Sequence, residues 1–235
     1  MKNNFLKGVK DGIPICLGYL SVSFAFGIFA VGQGLSPFEA VLISMTNLTS
    51  AGQLAAVPII AGGGSFLELA VSQLVINLRY ALMSVSLSQR FHGSVGTLKR
   101  LVIAFGNTDE VFAVASSQKR EIKASYMYGL ILTPFLGWST GTAIGAFLGN
   151  ILPEILLSAL GIAIYGMFVA IVVPIAKTER AVLYLVLLSA ALSLIFNFVP
   201  LLKAVPTGFT IIICAVLASA VLAVLRPVKE ESEDA

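Results

Sequence analysis

The sequence has few charged residues and a single histidine, and each shortage excludes a class of protein. Only 11% of its 235 residues are charged and 57% are hydrophobic, which is too little polar surface to coat a soluble globule of this size. One histidine, His92, cannot supply the paired-histidine zinc motif of metalloproteases. No glycine-rich phosphate loop and no Gly-x-Ser-Gly sequence occurs. The composition therefore excludes a soluble domain and argues against an enzyme.

Cysteine is scarce as well. Cys16 and Cys214 both lie in apolar stretches, where a small thiol packs against its neighbours, and two such residues do not make a disulfide framework or a metal site. The cations are scattered over short loops, which argues against a nucleic-acid surface. We therefore expect no metal, no cofactor and no nucleic-acid partner.

What the sequence does contain is long apolar runs. About 20 apolar residues in a helix cross the roughly 30 Å of hydrocarbon in a bilayer. Six uncharged stretches reach that length, and a seventh, 66–89, contains only Glu68 and Arg79; the six are residues 12–38, 40–67, 124–153, 155–176, 181–202 and 204–225. The sequence therefore predicts an all-α integral membrane protein, a polytopic bundle of seven or eight transmembrane helices forming one domain, residues 1–235.

The exact number of spans is open at this stage. Residues 101–118 are apolar at both ends and polar in the centre, so they could be a spanning helix broken in the middle, a re-entrant pair or an interfacial helix. The rule that cytoplasmic loops are rich in Lys and Arg favours seven and eight spans equally. Both topologies keep the C-terminus cytoplasmic and differ in the side of the N-terminus. The basic start MKNNFLKGVKDG lacks a following small-residue cleavage site and is expected to be retained.

The two halves of the chain show similar spacing of glycine and proline. Pro14 and Gly27 are matched about 120 residues later by Pro134 and Gly145. This pattern is compatible with two three-helix repeats, residues 12–89 and 124–202, with substrate held between them, a plan common among transporters. Seven spans would make the repeats inverted, and eight would make them parallel.

Arg79 lies inside the seventh apolar run. At about 100° per residue, Gln73, Asn77 and Tyr80 share one helix face and Glu68 and Arg79 share another, so only the remaining arc can face lipid. A charge in the middle of a membrane is costly unless it is paired or hydrated. Arg79 should therefore point into protein or a water-filled cavity, either to tie its helix to a neighbour or to bind a substrate carboxylate through its planar guanidinium.

A second polar cluster, TNLTSAGQL at residues 46–54, interrupts another apolar run. Side chains that compete for backbone hydrogen bonds, next to a glycine, favour local unwinding. Unwound backbone that lines a cavity can bind the two ends of an amino acid; the alternative is close helix packing through small residues. The predicted substrate-binding residues are Asn47, Thr49, Ser50, Gly52, Gln53, Asn77, Arg79 and Tyr80.

Asp109 and Glu110 are the remaining candidates. If they are buried, one of them could bind an ammonium group, pair with Arg79 or carry a proton in coupled transport. If residues 101–118 lie at the interface, both carboxylates are simply solvated.

The order of these motifs resembles the AzlC-like branched-chain amino acid permeases of bacteria. The likeness runs from Pro14 through FAFG (24–27), TNLTSAGQLAA (46–56), INLRYALMSVSL (76–87) and TDEVFAV (108–114), and covers nearly the whole chain. The most specific part is Asn77-Leu78-Arg79 before an aromatic residue, with Asp109-Glu110 some thirty residues later. Tyr80 stands where the family more often has histidine, which removes a titratable group, and the family's Ala-Gly-x-x-Gln is altered around Gly52.

The resemblance implies export of leucine, isoleucine and valine, with methionine as a further candidate, in partnership with a small hydrophobic AzlD-like membrane protein. We expect the proton gradient to drive this export. The residues alone indicate only a polytopic transporter with a polar central site. Two alternatives fit the same residues: a passive channel, and a membrane assembly subunit that transports nothing.

Overall fold

The computed structural model describes residues 4–119, 121–148, 172–200 and 202–225, and the single positions 153, 155, 166 and 169. The predicted all-α fold is confirmed: these residues form helices joined by short connections, with one isolated β-bridge. Most of the expected span 155–176 and part of the expected repeat 124–202 lie outside the described residues. The helices are α1 Phe5–Gly32, α2 Pro37–Thr46, α3 Ser50–Ala61, α4 Phe66–Ser88, α5 Thr97–Phe105, α6 Asp109–Ser116, α7 Ala124–Leu148, α8 Arg180–Phe198 and α9 Thr207–Leu225, with a 3-10 turn at Leu202–Ala204.

Five of the described helices are long and apolar enough to cross a membrane: α1, α4, α7, α8 and α9. The shortest of them have 19 residues, about 28 Å at 1.5 Å per residue, which approaches the thickness of the hydrocarbon core. Helices α2 and α3 have 10 and 12 residues, about 15 and 18 Å. Each of these two helices is therefore long enough to reach only about halfway across the hydrocarbon core.

Helices α1 and α7 form the centre of the bundle and run parallel. Gly8 lies against the start of α7, Gly137 against Cys16 in the middle of α1, and Gly145 against Phe24 further along. A Cβ atom at Gly137 would lie 2.6 Å from the Cys16 carbonyl oxygen, so glycine is what allows the two backbones to approach. Both helices therefore begin at the same end of the bundle, called here the first end, and finish at the second end.

Helices α2 and α3 form a hairpin that enters and leaves at the second end. Phe38 in α2 packs edge to face on Phe147, near the end of α7, with ring centroids 5.5 Å apart. Further along α2, Ser44 reaches Thr142 at 2.7 Å. Helix α3 then returns, and its Val57 joins the buried cluster that also holds the start of α2. The prediction that residues 40–67 cross the membrane is therefore wrong.

The break between α2 and α3 allows this stretch to fold back. The Thr46 hydroxyl donates to the Leu42 carbonyl at 2.7 Å, and the Asn47 side-chain oxygen accepts the Thr49 backbone N–H at 3.0 Å. These side chains replace helical hydrogen bonds at residues 47–49. The local unwinding predicted within residues 46–54 is confirmed, and each arm beside it is only half a span long.

Residues 101–118 belong to a second hairpin, α5–α6, which enters from the first end. Arg90, just after α4, donates to the carbonyl oxygen of Ser116 and, at 2.6 Å, to that of Gln118 at the end of α6. The Ile122 N–H, just before α7, donates to the Arg90 carbonyl at 2.9 Å. The turn between the helices is residues 106–108, and the Thr108 side chain caps α6. Of the three possibilities left open by the sequence, the re-entrant pair is the one observed.

The path of the chain follows from these contacts. α1 runs to the second end, α2–α3 leaves it and returns, and α4 runs back to the first end. The hairpin α5–α6 starts and finishes there, so α7 begins beside α1. An eighth span at residues 101–118 is therefore absent from the described fold.

The last helix, α9, packs against α4, and α8 packs against α9. The backbone N–H of Gly208, in the first turn of α9, donates to the Glu68 carboxylate at 2.7 Å, which fixes the start of α9 at the second end. α8 leads into that start through the 3-10 turn.

Arg79 lies in the middle of the bundle and Lys203 at the second end, whereas the other described Lys and Arg residues lie at the first end: Lys7, Lys10, Arg90, Lys99, Arg100, Lys119, Lys123, Lys177 and Arg180.

Candidate functional site

The tips of the two hairpins meet near the middle of the bundle. The α2–α3 tip is residues 47–49 and the α5–α6 tip is residues 106–108. Next to them is a cavity of about 700 Å³, lined by α1, both tips, the middle of α4 and α7. Each hairpin extends only halfway through the bundle. Its polar tip therefore lies at the depth where a helix that crosses the whole membrane would have apolar residues.

Arg79 and Asp109 form an ion pair on the wall of this cavity. Their Nη2 and Oδ2 atoms are 2.8 Å apart, and the two side chains are 50% and 46% exposed. The guanidinium also donates to the Tyr80 hydroxyl at 3.2 Å and lies over the Tyr80 ring. Arg79 thus points into a cavity of the protein, as expected, and of the roles considered for Asp109 and Glu110, pairing of one carboxylate with Arg79 is the one observed. Both charges remain accessible from the cavity.

Glu110 has a different partner, which the sequence analysis missed. The Tyr19 hydroxyl of α1 donates to the Glu110 carboxylate at 2.5 Å and lies 2.7 Å from the Thr108 hydroxyl. A tyrosine hydroxyl carries one proton, so Tyr19 accepts from Thr108 when it donates to Glu110. A tyrosine in the middle of an apolar helix needs a polar partner, and this need was the signal available in the sequence.

Two of the predicted binding residues, Gly52 and Gln53, hold the α2–α3 tip in place instead of lining the large cavity. Gln53 is fully buried; its amide nitrogen donates to the Asn47 carbonyl and its oxygen accepts from the Trp138 indole N–H at 3.2 Å. The Gly52 carbonyl accepts from the Gln73 amide at 2.9 Å. These contacts hold the α2–α3 tip against α4 and α7. Neither residue lines the large cavity.

The other predicted residues are divided between two cavities. Ser50 lines the large cavity together with Arg79, Asp109 and Glu110. A smaller cavity of about 220 Å³ lies between the two tips. Its polar lining includes the predicted residues Asn47, Thr49, Asn77 and Tyr80, together with Asn107 and Thr108. Tyr80 and Thr108 line both cavities.

The start of α3 provides a further binding feature. Its N-cap residue, Thr49, makes no side-chain cap hydrogen bond, and the first two residues of the helix, Ser50 and Ala51, line the large cavity. The backbone N–H groups in the first turn of a helix have no hydrogen-bond partner within that helix and can bind an anionic group.

The rest of the large cavity is apolar. Its wall comes from α1, the first tip, α4 and α7, with one residue from the helical stretch 172–178. The apolar lining includes Ile15, Val22, Leu48, Ile76, Trp138 and Val172. Apolar residues that line a pocket and those that face lipid look alike in a sequence, which is why these were not identified. Among the described residues, no group of three or more His, Cys, Asp and Glu side chains is placed to bind a metal.

Comparison with known proteins gives several relatives. Inner membrane protein YgaZ of Escherichia coli is 35% identical over 150 residues, which are 62% of this chain and 61% of YgaZ. An uncharacterized membrane protein of Archaeoglobus fulgidus is 31% identical over 172 residues, 72% of this chain and 75% of that protein. The branched-chain amino acid transport protein AzlC of Bacillus subtilis is 26% identical over 141 residues, 59% of this chain and 55% of AzlC. The match thus spans less than two thirds of the E. coli and B. subtilis proteins. No solved structure matches.

The family described as AzlC protein matches residues 14–152. This segment contains both hairpins, α4, α7 and about two thirds of α1. It also contains the ion pair of Arg79 with Asp109, and Glu110. More than half of the chain is therefore covered, including every charged group that the described residues place on the wall of the large cavity, and the protein is a member of the AzlC family of membrane proteins.

Proposed function

We propose that this protein exports branched-chain amino acids, namely leucine, isoleucine and valine, with methionine as a further substrate, through the large cavity. The observation that carries the proposal is the pair of opposite charges, Arg79 and Asp109, at 2.8 Å on the wall of a cavity whose other walls are largely apolar. A free amino acid with an apolar side chain has the matching distribution of charge. Membership of a transport family and the printed name of the B. subtilis relative support the same substrate class.

In this proposal the substrate replaces the ion pair. Its carboxylate binds Arg79 and the free N–H groups at the start of α3, beside Ser50. Its ammonium group binds Asp109, and its side chain packs against the apolar wall. Each charge that loses a partner gains another, so no charge is left unpaired in the middle of the membrane, where the cost is high.

We propose that the proton gradient drives export through Glu110. The Glu110 carboxylate is held by the Tyr19 hydroxyl and lies beside Asp109 in the chain. Two adjacent carboxylates repel when both are ionised. An ammonium group between them favours the doubly ionised form, and its departure favours uptake of a proton. Substrate and proton would then occupy the site alternately.

The distribution of cations supports an orientation. The described Lys and Arg residues outside the bundle centre lie at the first end, with Lys203 as the exception. Cytoplasmic loops carry an excess of such residues. We therefore assign the first end to the cytoplasm, which puts the N-terminus there together with the end of α9 and hence the C-terminus.

A small hydrophobic AzlD-like membrane protein is proposed as the partner. The proposal rests on the motif resemblance. The described part of the structure is compatible with it, because α8 buries none of its own residues and so has surface to offer to lipid or to another helix.

The test is amino acid efflux from cells loaded with a leucine- or valine-containing dipeptide. We expect less intracellular leucine and valine in cells that express this protein with its partner than in cells without them. Arg79→Lys should abolish the effect at normal protein levels, because a single ammonium cannot reproduce the planar donor fork. Asn197→Ala, on the exposed face of α8, is the matched control and should export normally.

A passive channel is the second candidate, because two half-length hairpins that meet tip to tip would also suit a pore. Membrane vesicles distinguish the two. Leucine movement against its concentration gradient, dependent on an imposed proton gradient, supports the exporter. Flux that only dissipates the leucine gradient supports the channel, and normal export by Arg79→Lys would contradict the proposed role of the ion pair.

A further inference from the structure

A groove separates the end of α4 from α5 at the first end of the bundle. Helix α5 packs mainly against α7, where the ring centroids of Phe105 and Phe135 are 6.3 Å apart. Between α5 and α4 is a space of about 170 Å³, lined by residues of the segments 84–91 and 97–107 and called here the α4–α5 groove. At its inner end the Asn107 amide donates to the Ser84 hydroxyl at 3.1 Å, so these two polar side chains partner each other across the groove.

The lining of the α4–α5 groove is mostly apolar. Leu87 and Ile103 are buried in it, each only 1% exposed, whereas Leu101 is 64% exposed. Among the described residues, Arg100 is the one charged side chain in the lining, and no carboxylate is present there. The groove therefore suits a molecule that is apolar along its length and negatively charged at one end.

The Arg100 guanidinium lies at the outer end of the groove. Its Nε donates to the Val95 carbonyl at 3.0 Å, and it lies 5.5 Å from the centroid of the Phe91 ring. Both partners belong to the connection between α4 and α5, which is at the first end. The two Nη nitrogens have no hydrogen bond or ion pair with the described residues. A guanidinium with two free parallel donors is well suited to a phosphate group.

The depth of the groove matches one leaflet of a bilayer. Helix α5 has nine residues, about 14 Å at 1.5 Å per residue. Half of the roughly 30 Å of hydrocarbon is about 15 Å. The groove thus has its cation towards the membrane surface and its apolar part towards the middle, which is the arrangement of head and acyl chain in a phospholipid.

The charge of the first end favours a lipid with a net negative charge. The Lys and Arg residues at this end outnumber the described acidic residues there, which are Asp11, Glu121 and Glu179. Lys99 and Arg100 are the third and fourth residues of α5, close to the positive end of the helix dipole, where cations are unfavourable. The stability of α5 therefore does not account for them. Basic pockets between helices on the cytoplasmic side of a membrane bind anionic lipid headgroups.

We propose that the α4–α5 groove binds an anionic phospholipid. Its phosphate accepts from the Arg100 guanidinium, and one acyl chain packs along Leu87, Leu101 and Ile103. The lipid fills the space beside α5 and so holds the α5–α6 hairpin, with Thr108 at its tip, against α4. The inference goes beyond the proposed function and does not rest on it, because lipid binding is measured without any amino acid.

The experiment is native mass spectrometry of the purified full chain in a mild detergent. Phosphatidylglycerol or phosphatidylcholine, with the same acyl chains, is added at equal concentration. We expect the unmodified protein to bind phosphatidylglycerol about tenfold more strongly, the scale of one hydrogen bond to a charged group. Arg100→Gln should remove this preference. Lys99→Gln is the matched control, because it makes the same change of charge at a neighbouring residue that does not line the groove.

A second pair of variants tests the acyl chain. Ala104 lines the groove and is exposed, so Ala104→Phe should fold and should weaken binding of both lipids by filling the space. Val102 is 53% exposed and does not line the groove, so Val102→Phe should leave lipid binding unchanged.

Several results would overturn the proposal. Equal losses in Arg100→Gln and Lys99→Gln would indicate diffuse attraction to the basic end, and unchanged binding in Arg100→Gln or Ala104→Phe would remove the groove as the site. No preference for phosphatidylglycerol by the unmodified protein, or its displacement by glycerol phosphate, which has no acyl chain, would also contradict it. A dimer of the chain that Ala104→Phe dissociates would assign the groove to a second copy. Failure of leucine export in cells would leave the lipid result intact.

Discussion

The ion pair between Arg79 and Asp109 allows a quantitative prediction. At the observed 2.8 Å, Coulomb's law gives about 6 kcal/mol of attraction at an effective dielectric constant of about 20 and about 1.5 kcal/mol in bulk water. Both side chains are about half exposed, so the effective value should lie near the lower limit. We expect a coupling energy of about 2 kcal/mol between the two residues.

A double-mutant cycle measures this coupling. Arg79→Gln and Asp109→Asn each leave one unpaired charge in the middle of the membrane and should each destabilise the protein, whereas the double variant should cost about 2 kcal/mol less than the sum of the two. The readout is the free energy of unfolding in mixed micelles, obtained from denaturant titrations of the purified variants. Additive single effects would refute the reasoning, because they would show that the two charges do not stabilise each other in the folded protein.

Three further predictions concern other contacts. Tyr19→Phe removes a hydrogen bond to a carboxylate and should lower the free energy of unfolding by about 1.5 to 3 kcal/mol; an unchanged denaturation midpoint would contradict the hydrogen bond. Gly137→Val should lower the melting temperature sharply because its side chain would meet the backbone of α1, whereas Gly18→Ala, with nothing within 4 Å of the added carbon, should leave it unchanged. In a cysteine-free background, an impermeant maleimide added to intact cells should label Lys203→Cys and spare Lys119→Cys; the reverse pattern would invert the proposed orientation.

The sequence predicts much of the polar interior because polar groups in a membrane are severely constrained. Arg79 in an apolar run had to find a partner or water, and it has Asp109. The polar residues around Gly52 had to disturb their helix, and the helix breaks at residues 47–49. In each case a high energetic cost leaves few solutions.

The hairpins were harder to predict, because hydropathy averaged along the sequence is the same for two half-length apolar arms as for one helix of full length. Residues 40–67 are long enough for one crossing, and the sequence does not say whether the chain continues through the break or turns back. The direction is decided by distant contacts, such as that of Phe38 with Phe147. The hydrogen bond from Trp138 to Gln53 could not be predicted for the same reason, since it joins residues that are 85 positions apart in the sequence.

The two hairpins also determine the electric field at the centre of the protein. At each tip one helix ends and the next begins, so a carbonyl end and an N–H end of two helices both lie near the centre of the protein. Among the described residues, the charged side chains on the wall of the large cavity are one guanidinium and two carboxylates. A zwitterion adds no net charge when it binds at such a centre, whereas a cationic or anionic amino acid would add one unit. In the proposed transport, the architecture would therefore favour substrates without net charge before any side chain is recognised.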